Sequence, residues 1–105
     1  MSKTLGEYCD MREVDEECKH VFIKANSSIC EHYASMYGHF SSCKLIGYKK
    51  QIVYGTNYLL NVEFQTENDP KTVWCNVFQA LPCHGGEIKH RGLNEDETIA
   101  SKIDK

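Results

Sequence analysis

The residues of this 105-residue chain with most capacity for chemistry are six cysteines, at positions 9, 18, 30, 43, 75 and 83, and five histidines, at 20, 32, 39, 84 and 90. A thiol nucleophile needs a base within hydrogen-bonding reach. Cys83 stands beside His84, but neighbours in an extended chain project to opposite faces, so the pair does not predict catalysis and no enzyme is expected. A zinc site would need ligands at ribbon or finger spacing. No two cysteines stand in Cys-x-x-Cys, the nearest pair, Cys75 and Cys83, being separated by seven residues, and the histidines are scattered. Neither a metal nor a cofactor is therefore expected.

An even cysteine count suggests a disulfide framework in a secreted chain. Against this, the run Met1 to Asp10 has one lysine and no apolar stretch behind it. It predicts neither a signal peptide nor an anchor. The expectation is a cytoplasmic protein with reduced, mostly buried thiols, with secretion by another route or after removal of a leader left open. Nothing approaches the run of about 18 apolar residues that a membrane span requires, so no membrane partner is expected. Twelve basic against fifteen acidic residues give a net charge of −3 with no basic stripe, which sets nucleic-acid binding aside. A chain of this length with 41% hydrophobic residues reads as one domain over 1–105, too small to enclose a large cavity as well as a core. Its function is expected on an edge.

The elements that would carry such an edge follow from periodicity. Val14, Cys18, Val21, Phe22, Ala25, Ile29, Tyr33, Met36 and Tyr37 recur at three- and four-residue steps, predicting an amphipathic helix over 10–38. Asp10 with Glu13 resembles a capping box, and Gly38 supplies a left-handed terminator. A break at Asn26-Ser27-Ser28 into two shorter helices is the alternative. Beyond Gly38 the period becomes two. A strand over 40–54 is followed by one over 56–65, with Tyr58, Leu60, Val62 and Phe64 on an apolar face and Asn57, Leu59, Asn61 and Glu63 on the other. Turn formers at 66–71, a strand over 72–81 ended by Pro82, and a short strand over 87–93 after Gly85-Gly86 complete the pattern. Residues 94–105 read as a loosely held polar tail. The fold class is α+β: one long helix wrapped by a four- to five-stranded antiparallel sheet.

Within this layout Gln51-Ile52-Val53-Tyr54-Gly55 resembles the Gln-x-Val-x-Gly signature of the cystatin superfamily, inhibitors of papain-like cysteine proteases. It is followed, as in that family, by Thr56-Asn57-Tyr58 and an alternating strand. Val77-Phe78-Gln79-Ala80-Leu81-Pro82 is similar to the Val-Phe-x-x-Leu-Pro of the stefin (type 1) branch. Secreted cystatins usually place Trp after this Pro, where this chain has Cys83. The resemblance extends over about 90 residues and implies a cystatin-like fold and a tight, reversible inhibitor of papain-like, cathepsin-type proteases.

Such inhibitors insert a wedge of three pieces, and the resemblance implies its residues here. Residues 1–9 form an N-terminal trunk with Leu5 before a bend at Gly6. Gln51, Ile52, Val53, Tyr54 and Gly55 form a first hairpin loop, in which Val53 is expected at the apolar tip and Gly55 supplies positive φ. Leu81, Pro82, Cys83 and His84 form a second loop, stiffened by the proline. The active form is expected to be a monomer. The long strands flanking the hairpin offer a hinge for a domain-swapped dimer, and an exposed Cys83 offers a disulfide-linked one. The competing reading is a non-inhibitory binding module on the same fold, because fold does not dictate function.

Overall fold

A computed structural model describes residues 8–103. Its main helix, α1, spans Glu16–Tyr37, and the sheet has five strands in sequential order: β1 (Arg12–Glu13), β2 (Ser42–Val53), β3 (Gly55–Gln65), β4 (Lys71–Gln79) and β5 (Ile88–Asn94), each antiparallel to its neighbour. This is the expected α+β, cystatin-like arrangement, with the two-residue β1 on one edge.

The helix is a single, unbroken element, but it begins later than the sequence suggested. Asp15, not Asp10, is the N-cap: its carboxylate accepts from the Cys18 N–H at 3.0 Å, while Cys18 Sγ accepts from the Asp15 N–H at 3.3 Å. A thiol in the reciprocal position hid this box from the usual Glu/Gln pattern. Residues 12 and 13 instead pair with Tyr48 and Gly47 of β2, and Val14 packs half-buried against the core from outside the helix. The helix stops at Gly38, whose φ of +99° suits glycine and whose N–H donates to the Ala34 carbonyl.

Cys18, Val21, Ala25, Ile29 and Tyr33 form the buried stripe of α1. They meet Tyr48, Tyr58, Leu60, Val62, Phe64, Val73, Cys75, Val77 and Leu93 from the facing side of the sheet. Tyr33 stacks on Phe64 at 3.8 Å between centroids, with Phe40 edge-on to both. Burial of each large apolar side chain here contributes about 1.5–3 kcal/mol.

The opposite sheet face corrects the sequence reading. Leu59 and Asn61, expected on a solvated side, are buried. Residues 94–105, expected as a loose tail, include the end of β5 and a short helix, α2 (Glu97–Ser101), capped by Asp96. Its Ala100 is fully buried, and the buried Asn76 side chain donates to the carbonyls of Ala100 and Ile103 at 2.9 and 3.0 Å. Lys49 of β2 pairs with Glu97. A polar-looking segment is thus held by backbone hydrogen bonds and a few apolar anchors, a combination that composition does not reveal. No helix among the described residues is long and apolar enough to cross a membrane.

Candidate functional site

The two sequence-singled loops meet at one end of the sheet. In the first hairpin Val53 pairs with Gly55, which leaves Tyr54, not Val53, as the apex residue. Such a tight reversal needs positive φ beside the apex, and Gly55 has φ +119°. A Cβ on Gly55 would lie 2.4 Å from the Gln79 carbonyl oxygen and 2.7 Å from Phe78 Cζ. Glycine is therefore required twice, once by conformation and once by the close approach of β4.

The second loop turns from β4 into β5 through a 3-10 turn at Pro82–His84. It is closed by Leu81 carbonyl contacts to the N–H groups of His84 and Gly86, and the hairpin beneath it by Ala80 N–H donating to the Glu87 carbonyl. Cys83 and His84 thus follow one another in a tight turn rather than an extended chain, and both side chains are exposed. Gly55, Thr56, Gln79, Leu81, Pro82 and Gly85 share one shallow cleft between the loops.

Three consecutive apolar side chains stand out on the first hairpin: Ile52, Val53 and Tyr54 are 47, 38 and 84% exposed. Soluble proteins seldom present a contiguous apolar run on a loop tip unless it meets a partner. Pro82, Cys83 and His84 are exposed beside it, with Leu81 half-buried. Of the trunk, Leu5 and Gly6 lie outside the described residues, but the chain behind them arrives here. Tyr8 bridges to Gln51, and the Cys9 N–H donates to the Lys50 carbonyl at 2.9 Å.

The hairpin is braced beneath by charged groups that the sequence reading did not single out. Glu17, in the first turn of α1, accepts from Lys50 Nζ at 2.9 and 3.1 Å and from the Tyr58 hydroxyl at 2.8 Å. Tyr48 donates to Asp15 at 2.8 Å. The Cys18 N–H, foremost, and the Tyr48 hydroxyl hold the Asp15 carboxyl below its ordinary range. Burial pushes the Glu17 carboxyl up, but Lys50 and Tyr58 outweigh it and leave it lowered. Both phenols are pushed up, first by burial and then by their carboxylate acceptors. The start of the helix is thereby tied to β2 and β3 immediately below the loop. Only Lys50, adjoining the signature, lay close enough in sequence to have signalled this.

The six thiols are free: Cys18 and Cys75 are buried, Cys9, Cys30 and Cys43 half-buried, and Cys83 exposed. Among the described residues no three His, Cys, Asp or Glu side chains are grouped to hold a metal ion.

No family model matches the chain. Over 56 residues it is 32% identical to Cystatin-B of Oplegnathus fasciatus, a stretch covering 53% of each protein. The matched stretch spans about half the length of that curated relative, and its similarity agrees with the resemblance read from the signature and with the helix-on-sheet architecture.

Proposed function

We propose that this protein is a stefin-like cystatin: one domain that inhibits papain-like cysteine proteases, of cathepsin type, by seating its paired loops and trunk in the catalytic cleft. The observation that carries the reading is the exposed apolar run Ile52–Tyr54, held beside the Pro82–His84 turn and braced beneath by Glu17, Lys50 and Tyr58. The similarity to Cystatin-B supports it. Binding of this kind rests on shape and apolar burial. A preformed hairpin loses little conformational freedom on docking, so a standard-size interface of about 1,600 Å² can be tight. Inhibition without turnover follows if the wedge flanks the catalytic cysteine and presents no peptide bond in attack geometry.

The residues proposed to contact the protease are Leu5, Gly6, Gln51–Gly55 and Leu81–His84, with Tyr54 leading. The second loop carries Cys83 and His84 where an aromatic would add apolar area, so most of the binding energy is assigned to the first hairpin. Steady-state inhibition of papain against a peptide substrate tests the proposal. Competitive inhibition that weakens at least tenfold in Tyr54→Ala supports it. A folded protein that leaves papain untouched at micromolar concentration supports the non-inhibitory binding module instead.

A further inference from the structure

The face of the sheet turned away from α1 carries a polar relay that reaches the signature glutamine from the far edge of the sheet. It begins at a β-bulge. Asn76 pairs with Gly92 and Val77 with His90, so Arg91 of β5 is the extra residue of the bulge. A bulge re-aims its side chain. The Arg91 guanidinium lies over the Phe78 ring, 4.5 Å from its centroid, and Nη1 donates to Asn57 Oδ1 at 3.3 Å. Asn57 Nδ2 in turn donates to Gln51 Oε1 at 2.6 Å.

The direction of this relay is fixed by chemistry. Arginine has donors only, so Asn57 must turn its oxygen toward Arg91. Its amide nitrogen then faces Gln51, which must answer with its own oxygen and point its NH2 group away from Asn57. One cation on β5 thereby selects one of the two amide orientations of Gln51, three strands away on β2. The same contacts join the strands of both loops, since Gln51 and Asn57 flank the first hairpin while Phe78 and Arg91 flank the second.

We infer that Arg91 is a positioning residue of the wedge: through Asn57 it sets the amide orientation of Gln51 and fixes the first hairpin relative to the second loop. The inference rests on the inhibitory reading for its functional consequence, but its structural core does not.

The test uses R91M, N57D and Q51A in the full chain, with papain inhibition and side-chain amide NMR as readouts. R91M removes the donor that orients Asn57. N57D puts an acceptor-only group in the relay, which keeps the contact with Arg91 but forces Gln51 to present its NH2 group instead. Both variants are expected to keep their melting temperature within a few degrees and to raise the inhibition constant about tenfold, the scale of one hydrogen bond lost by a misdirected Gln51 amide. If Arg91 acts through Gln51, R91M changes inhibition less than twofold in the Q51A background; a merely structural role would leave its effect there intact. In NMR, the Asn57 side-chain amide protons are expected to be protected from exchange in the wild type, where Asn57 always donates to Gln51, and less protected in R91M, where the two amides can trade the donor role. Additive effects of R91M and Q51A, or Asn57 protection undiminished in R91M, would overturn the inference. A wild-type protein that does not inhibit papain defeats the inhibitory reading alone, and the exchange measurement then decides on Arg91 by itself.

Discussion

Acid should loosen this fold through His90, and the effect can be sized from its surroundings. His90 of β5 faces α1, where its Nδ1 lies 3.1 Å from the Ser28 hydroxyl and its ring packs edge-on against His32 at 5.4 Å between centroids. Its Nε2 is buried with no hydrogen-bond partner among the described residues. Burial, and secondarily the neighbouring His32, depress its pKa from 6.5 to about 4, with the Gly92 backbone working weakly the other way. A folded-state pKa below the unfolded value means that the fold favours the neutral ring. The stabilisation is complete above about pH 6.5 and is lost as pH falls from there through about 4. Two and a half units at ~1.4 kcal/mol each set a ceiling near 3 kcal/mol; partial exposure of the ring reduces this to about 2 kcal/mol. Urea unfolding of wild type and His90→Gln at pH 7 and pH 4 isolates the effect, because the acid response of Asp15 and Glu17 is common to both proteins and cancels in the difference. The advantage of the wild type should shrink by about 2 kcal/mol between the two pH values. A difference constant to within about 0.5 kcal/mol would refute the reasoning.

Other perturbations follow from the loops. Val53→Asp places a carboxylate at the centre of the proposed interface and should weaken papain inhibition roughly a hundredfold, about 3 kcal/mol, without altering stability; an inhibition constant within threefold of wild type would remove Val53 from the contact. Gly55→Ala meets both a positive φ and a backbone oxygen at 2.4 Å, so it should cost about 3 kcal/mol of stability by thermal unfolding; an unchanged melting temperature would show that β4 does not press on this turn. Thiol labelling of the native protein should modify exposed Cys83 first, and buried Cys18 and Cys75, whose thiols are pushed up by burial, only on unfolding; Cys75 reacting as fast as Cys83 would contradict the packing.

Much of this architecture was readable because local pattern and tertiary demand coincide. The three- and four-residue spacing of Cys18, Val21, Ala25, Ile29 and Tyr33 is the buried stripe itself, and Tyr58, Leu60, Val62 and Phe64 alternate because one sheet face meets that stripe. Where a second partner intervenes, the pattern misleads. Leu59 and Asn61 sit on the face opposite the helix and are nonetheless buried, and the segment beyond β5 that docks on this side looks polar because Asn76 and backbone carbonyls hold it. The helix start moved from Asp10 to Asp15 because a cysteine completes the capping box. At the site, the signature and its glycine were visible, whereas the apex fell on Tyr54 because hairpin register is decided by how Val53 and Gly55 pair. Glu17 and Arg91 left no local trace. One reaches the hairpin from the helix and the other from a bulge two strands away, and a bulge shifts register without disturbing composition.

Titrating papain of known active-site concentration with this protein, and then recording the intact mass of the inhibitor, tests the central claim most directly. The wedge account predicts a linear loss of activity that ends at one inhibitor per active site, recovery of activity on dissociation, and an inhibitor of unchanged mass. Full papain activity in the presence of excess folded protein, or inhibition accompanied by cleavage within residues 51–55 or 81–84, would contradict it.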